Sequence, residues 1–194
     1  MSQNPTTFPD YSSPQNNLAT RDGLSPELRA LLFAIPAKDW PKHANYKGLA
    51  EFWQAVHRGL RSESGALANG LAELSEIAPG DMQSGLLLGE LRNLGRHFIG
   101  HAHVHHHIED DQYFPKFKLA FPRLVRPVDL LDGDHRVLEE SLDAMERHLN
   151  ELSAERADRD AVGRALDDAQ KLDHILDRHL ADEEDIVIPA LLQG

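Results

Sequence analysis

The segments HHHIEDDQYFP, residues 105–115, and HLADEEDIVIP, residues 179–189, repeat one pattern: a histidine, a glutamate four residues later, a second acid and a proline. In the first copy the histidine is His105 and the glutamate is Glu109, and the second copy keeps the same offsets. Residues i and i+4 share a face of an α-helix, so each copy presents an imidazole and a carboxylate to one point. Nitrogen and carboxylate ligands together suit a borderline first-row metal such as iron, manganese or zinc. The repeated pattern therefore predicts two metal-binding helices.

A lone histidine precedes each copy of the pattern, so the chain has the form of two similar halves. His57 comes before the first copy, and His135 comes before the second, which contains His179 and Glu183. The residues that other kinds of site require are absent: the chain has no cysteine, no glycine-rich phosphate loop and no His-Glu-x-x-His pattern. The four histidines and the two motif glutamates are therefore the predicted metal ligands.

Apolar residues recur at intervals of three and four along most of the chain, which is the spacing of an amphipathic helix. After Pro127, for example, Leu131, Leu138 and Leu142 fall on one stripe. Stretches with this spacing cover four ranges: about residues 48–78, 81–113, 127–152 and 159–192. No strand-like alternation of useful length occurs between them. The sequence therefore predicts an all-α fold, an antiparallel up-down-up-down four-helix bundle.

Glycine and proline indicate where these helices are weak. Three glycines in the first long helix predict a kink or a break near residues 62–66. Pro115 and Pro189 follow the two metal-binding patterns closely, and we expect them to stop or kink their helices there.

Residues 1–44 differ in character from the predicted bundle, which takes up residues 45–194. Their first part is polar and contains several prolines, which predicts an irregular arm lying on the surface. Ser25 and Pro26 are typical of a helix start. A short N-terminal helix is therefore expected, ending at Ile35 before a further proline.

Composition excludes several classes of protein. The chain has 194 residues, a hydrophobic content of 41% and a formal net charge of -12, which together allow one domain with a sizeable core. The negative charge argues against nucleic acid and anionic membrane as partners. No apolar stretch approaches the roughly 20 residues that span a bilayer, and the polar N-terminus is not a signal peptide. We therefore expect a cytoplasmic protein.

The predicted ligands stand where the helical stripes require apolar residues. His135 lies between Leu131 and Leu138 on its stripe, and His179 and Glu183 continue another. Burying an unpaired polar group costs roughly 1–3 kcal/mol, against a typical total stability of about 5–15 kcal/mol. Several such groups need a strong compensating interaction, and metal coordination supplies one.

The order of these residues and the two quoted segments resemble the hemerythrin-like (HHE cation-binding) domain family. The resemblance covers about residues 45–192 and rests on six residues: His57, His105, Glu109, His135, His179 and Glu183. It implies two non-haem irons, bridged by both glutamates and by an oxo or hydroxo ligand, with the four histidines as terminal ligands. It also implies that the site binds or turns over O2, NO or peroxide. Zinc and manganese are the alternative metals.

The sequence departs from the oxygen-carrying members of that family, which have five histidine ligands. The third helix has Glu139 where those proteins have a histidine. We therefore expect an open or water-filled coordination position, which favours reactivity over simple oxygen storage. His101, His106 and Glu139 are the candidates to complete the site. The acids after the motif glutamates, Asp110 and Glu184, point about 100° away and are expected beside the site or at the surface.

Other functions fit the same residues. A non-redox bundle could hold zinc and act as a structural or protein-interaction module, and a metal-free bundle could keep its histidines in hydrogen bonds. Among the redox functions, an enzyme and a passive sensor or carrier need the same ligands. The reaction, the protein partner, any catalytic residue and the oligomeric state therefore stay open.

Overall fold

The structure, a computed structural model, describes residues 10–11, 13–78, 80–152 and 159–194. Within those ranges it has no strand and six α-helices: α1 Pro26–Arg29, α2 Leu49–Glu76, α3 Met82–Ile108, α4 Phe114–Ala120, α5 Val125–Glu151 and α6 Arg159–Leu191. The four long helices pack together as a bundle, which confirms the all-α prediction. In the described part of the chain, no helix is both long and apolar enough to cross a membrane.

The first helix begins where the sequence predicts and ends early. Ser25 Oγ accepts a hydrogen bond from the backbone N–H of Leu28 at 3.4 Å and so caps the first turn. The helix ends at Arg29 instead of Ile35, and a 3₁₀ helix follows at Ala37–Lys42. This one turn buries Leu28, which is 4% exposed.

Helix α2 runs unbroken from Leu49 to Glu76, so the predicted break near residues 62–66 is wrong, whereas the kink stays a prediction. One of the three glycines has a packing role. A Cβ atom at Gly70 would lie 2.3 Å from Leu91 Cδ2 on α3, which is far inside van der Waals contact. The missing side chain lets these two helices approach closely.

The chain divides into two compact units, and the first contains the N-terminal arm. This unit consists of three stretches: residues 1–57, 107–137 and 177–194. Its core is rich in aromatic and branched residues: Leu24, Leu28, Trp40, Trp53, Phe114, Phe117, Val128, Leu131, Ile186 and Ile188. Within the described part of the arm, the predicted surface position is wrong for three residues, because Leu18, Arg21 and Leu24 are at most 4% exposed. Residues 1–9 and 12 lie outside the described residues.

The second unit consists of two stretches: residues 58–106 and 138–176. Its interior is formed by the apolar stripes of the long helices: Leu60, Leu67, Leu71, Leu74, Leu91, Phe98, Leu138, Leu142, Met145, Leu149, Leu172 and Leu176. Each of these side chains is at most 4% exposed. The spacing of three and four therefore predicted most of this part of the core, and Leu88 and Ile99 of α3 are buried in addition.

Neither motif proline stops its helix. After α3 the chain forms a π-turn at Glu109–Tyr113, in which the N–H of Phe114 bonds to the carbonyl oxygen of Glu109, and α4 follows directly. Pro115 has no N–H to give to an α-helical hydrogen bond, and the wider turn accommodates its ring. Pro189 lies inside α6, near its end.

Candidate metal centre

Two groups of histidine and glutamate side chains lie in the interior, and in each group the ligand atoms are within 4.8 Å of one another. The first group contains four residues: His57, His105, Glu109 and Glu183. The second group contains three residues: His106, His135 and His179. All are buried except His105, which is partly buried. Each of the six residues predicted from sequence belongs to one of the two groups, and His106 is the addition.

The two glutamates face histidines of both groups. Glu183 has one carboxylate oxygen 3.4 Å from His57 Nε2 and the other 3.5 Å from His179 Nε2. Glu109 Oε2 lies 3.4 Å from His135 Nε2. These separations exceed the usual hydrogen-bond length of about 2.7–3.2 Å. They match the spacing of about 3.0–3.5 Å between two atoms that bind one ion at about 2.0–2.2 Å. The donor set therefore fits a metal, and each glutamate lies close to histidines of both groups.

The acids that follow the motif glutamates each hold one of the lone histidines. Asp110 Oδ1 lies 2.8 Å from His135 Nδ1, and Glu184 Oε1 lies 3.0 Å from His57 Nδ1. A carboxylate at Nδ1 fixes the proton there and turns Nε2, with its lone pair, toward a metal. The second acid of the repeated pattern thus orients a histidine, a role that the sequence left open.

His106, one of the three residues that the sequence named as candidates to complete the site, belongs to the second interior group. Its side chain is 3% exposed, and its Nδ1 lies 3.1 Å from Glu139 Oε1. The hydrogen bond with His106 lowers the pKa of Glu139, which keeps that carboxylate charged. Glu139 itself is 42% exposed and belongs to neither interior group. Glu139 therefore orients a histidine, and the ligand atom of His106 lies beside those of His135 and His179.

The N-terminal arm reaches His179 through a buried ion network. Arg21 donates hydrogen bonds to Asp134 at 2.8 Å and to Asp182 at 2.9 Å, and both acids are 0% exposed. The hydroxyl of Tyr11 also donates to Asp134, at 2.9 Å. The other oxygen of Asp134 lies 3.4 Å from His179 Nδ1. Burial of Asp134 opposes its charge, but the bonds with Arg21 and His179 outweigh it and lower the pKa of Asp134.

Aromatic side chains support the glutamate and histidine positions. The indole N–H of Trp53, one turn before His57 on α2, donates a hydrogen bond to Glu183. The ring of Phe114 stacks on His135, with ring centroids 5.3 Å apart and an angle of 18° between the planes. These contacts restrict the rotamers of the side chains that face the metal positions.

Electrostatics in the interior favour a cation. Burial, and then the charge of Glu183, raise the pKa of Glu109 well above its ordinary value. Burial opposes a charge on His179, but Asp134 and Glu183 outweigh it and raise the pKa of His179 to about 9. Burial likewise opposes a charge on His57, and its carboxylate neighbours outweigh it and raise that pKa. The buried acids therefore attract positive charge, supplied by protons or by metal ions.

His101 lies apart from the interior groups, although it precedes His105 by one turn. Its Nδ1 is 3.0 Å from Glu63 Oε2. At 3.6 residues per turn, each step of four residues rotates about 40° beyond a full turn. The row of His105, His101 and His97 therefore turns outward, and the side chain of His97 is 71% exposed.

Sequence reasoning missed three residues of the network and left a fourth unassigned: Arg21, Asp134, Asp182 and His106. Asp134 and Asp182 each precede a predicted ligand directly, and that position was a usable signal. Arg21 gave none, because a basic residue in an irregular arm has no periodic context. His106 lies next to His105 on a helix, and only the packing distinguishes its direction from that of His107.

Comparisons with known proteins agree with this site. The family model of the hemerythrin HHE cation binding domain matches residues 48–191. A search of the curated proteins and a search of the solved structures each found no match.

Proposed function

The chain belongs to the hemerythrin HHE cation-binding domain family, and from that premise we propose that it is a non-haem di-iron protein. Each interior group would hold one iron ion, with Glu109 and Glu183 shared between them. The observation that carries the proposal is the position of Glu183. Its two carboxylate oxygens face His57 and His179, one histidine from each group.

The proposed ligands are five histidines and two glutamates: His57, His105, His106, His135, His179, Glu109 and Glu183. Imidazole and carboxylate together suit iron, manganese and zinc, and membership of the hemerythrin family favours iron. The buried carboxylates support a site of high positive charge, since they raise the pKa of two of the histidines. An oxo or hydroxo bridge would complete the site.

Three carboxylates have a positioning task in this proposal. Each accepts the Nδ1–H of one histidine, in the pairs Asp110–His135, Glu184–His57 and Glu139–His106. Such partners fix the tautomer and raise the basicity of the nitrogen that binds metal. They hold these three rings ready before a metal arrives.

We further propose that the centre binds or turns over O2, NO or peroxide. Bound iron would supply an exchangeable coordination position and redox chemistry. The burial of the site supports a small ligand, because His57, His179 and Glu183 are 0% exposed and Phe114 covers His135. A carrier and an enzyme would share this arrangement and differ in whether the ligand leaves unchanged.

Metal analysis of the purified protein, combined with an absorption spectrum, tests the proposal. We expect two irons per chain and near-ultraviolet and visible absorption that changes on addition of NO or peroxide. Loss of peroxide over time would indicate an enzyme, and reversible spectral change would indicate a carrier or sensor. Zinc alone, with no absorption in this range, would support the structural or protein-interaction module instead. One iron or fewer per chain after loading would overturn the di-iron assignment.

A further inference from the structure

A third group of ligand atoms lies at the outer side of the second unit. It consists of Glu63 on α2 with His97 and His101 on α3, and its ligand atoms are within 4.8 Å of one another. The three side chains are 19%, 71% and 29% exposed, respectively. None of them belongs to the interior groups, so the di-iron proposal leaves them without a role.

The distances between the ligand atoms of this group are close to those found around a tetrahedral metal ion. Glu63 has one oxygen 3.4 Å from His97 Nε2 and the other 3.0 Å from His101 Nδ1. Two atoms bound to one tetrahedral ion at about 2.0–2.1 Å are about 3.3 Å apart. The contact to His97 is longer than a good hydrogen bond of about 2.7–3.2 Å. A small shift of the exposed His97 ring is enough to bring all three ligand atoms around one ion.

The ligands stand on rigid elements. His97 and His101 are i,i+4 neighbours in the middle of α3, where successive turns place two imidazoles on one face. Glu63 lies in the middle of α2, away from the fraying ends. A Cβ atom at Gly59 would lie 3.5 Å from the ring of His101, at an ordinary van der Waals distance, so that ring lies beside Gly59 of α2. Two of the three ligands are thus held in place before an ion binds.

We propose that Glu63, His97 and His101 form a surface site for one divalent transition ion, with zinc as the preferred occupant. Two imidazoles and one carboxylate are borderline ligands that suit zinc, and three protein ligands leave a fourth position for water. The open side is set by His97, the most exposed of the three. The site stands independently of the interior iron proposal, because it shares no residue with it.

Equilibrium dialysis of the metal-loaded full chain against zinc tests this site. Wild type should bind one more zinc ion per chain than His97→Ala, measured by elemental analysis at neutral pH. His174→Ala is the matched control, since it removes an exposed imidazole from α6 and should bind as much zinc as wild type. Each comparison subtracts the zinc content of a variant from that of wild type, so metal bound in the interior contributes equally to both values and does not affect the difference.

A second variant separates a metal site from a hydrogen-bonded cluster. Glu63→Gln keeps one oxygen that can accept a hydrogen bond from an imidazole but removes the charge that binds the ion. It should also bind one zinc ion fewer, with unchanged iron content and melting temperature. Equal zinc in wild type, His97→Ala and Glu63→Gln would overturn the proposal and leave the three residues as a solvated hydrogen-bonded group.

Discussion

The two copies of the His-x3-Glu pattern share a spacing but differ in backbone. Glu109 begins a π-turn, whereas Glu183 lies within the regular helix α6. Both carboxylates are nevertheless at most 1% exposed, and both face histidines at about the same distance. The spacing of four residues therefore determines where the glutamate points, and the chain after it can change its helix type.

The surroundings of the two copies differ more than their spacing does. In the second copy, Trp53 donates to Glu183, and Asp134 links His179 to Arg21 of the arm. In the first copy, His105 is only partly buried. We infer that the side chains of the second copy are held more rigidly than those of the first copy.

Removing Glu183 should have the largest effect, because this carboxylate faces both groups. We expect Glu183→Ala to lose most of its metal. The accompanying loss of stabilisation should approach about 4 kcal/mol at a free metal concentration near 1,000 times Kd. Elemental analysis and melting curves with and without metal measure both effects. Glu140→Ala, which removes an exposed acid from α5, is the control and should behave as wild type. Unchanged metal content in Glu183→Ala would remove this residue from the ligand set.

Arg21→Ala should destabilise the metal-free protein by about 3–5 kcal/mol, because it leaves buried Asp134 without its arginine and leaves Asp182 with Arg178 alone. Urea unfolding measures this change. Arg29→Ala is the control, since Arg29 is 51% exposed in its pair with Asp185 and should contribute less than about 1 kcal/mol. Arg21→Lys keeps the charge and should fall between the two. Equal effects of the alanine variants at positions 21 and 29 would show that the arm does not anchor the second copy.

The metal-free and metal-loaded proteins should show opposite trends with pH. The raised pKa of His179 contributes stability that is present below about 6.5 and is lost as the pH rises through about 9. The raised pKa of Glu109 acts in the same direction, because the buried carboxylate becomes charged only as the pH rises. Metal-loaded protein should instead lose ions as the pH falls, since protons compete for the ligands. Melting temperatures of the metal-free and the metal-loaded protein, measured from below pH about 6.5 to above pH about 9, check both trends. The same trend in both proteins would contradict the assignment of these residues as metal ligands.

Trp53→Phe should lower the free energy of unfolding by about 1–3 kcal/mol, because the hydrogen bond from Trp53 to Glu183 is lost. It should also change metal affinity, which titration with iron measures. Trp40→Phe is a matched control, because Trp40 is equally buried and donates to the backbone oxygen of Ile35 instead. Similar loss of metal affinity in both variants would point to packing rather than to the glutamate contact.

Glu139→Gln should have the smallest effect. The amide oxygen can still accept the Nδ1–H of His106, so the metal content and the spectrum should stay close to wild type. His106→Ala and His135→Ala should each lose or halve the metal. Equal metal loss in Glu139→Gln and His106→Ala would show that Glu139 is itself a ligand.

Most of the bundle could be predicted because helical periodicity is local information. The stripe through Leu138, Leu142 and Met145 reads directly from the sequence and is buried in the structure. The proline after the first motif shows the limit of that reasoning. Pro115 forbids one hydrogen bond, but the sequence does not say whether the chain stops or widens into a π-turn.

The sequence by itself determined which face of each helix carries histidine and glutamate, because i,i+4 neighbours meet wherever the helix packs. That is why all six predicted ligands lie in the two interior groups. Only the tertiary structure decided that His106 joins them while Glu139 stays outside, and that Arg21 is buried against Asp134. Those outcomes depend on which side chains are desolvated together and which charges compensate one another. These are properties of contacts between residues far apart in the chain, and no local pattern records them.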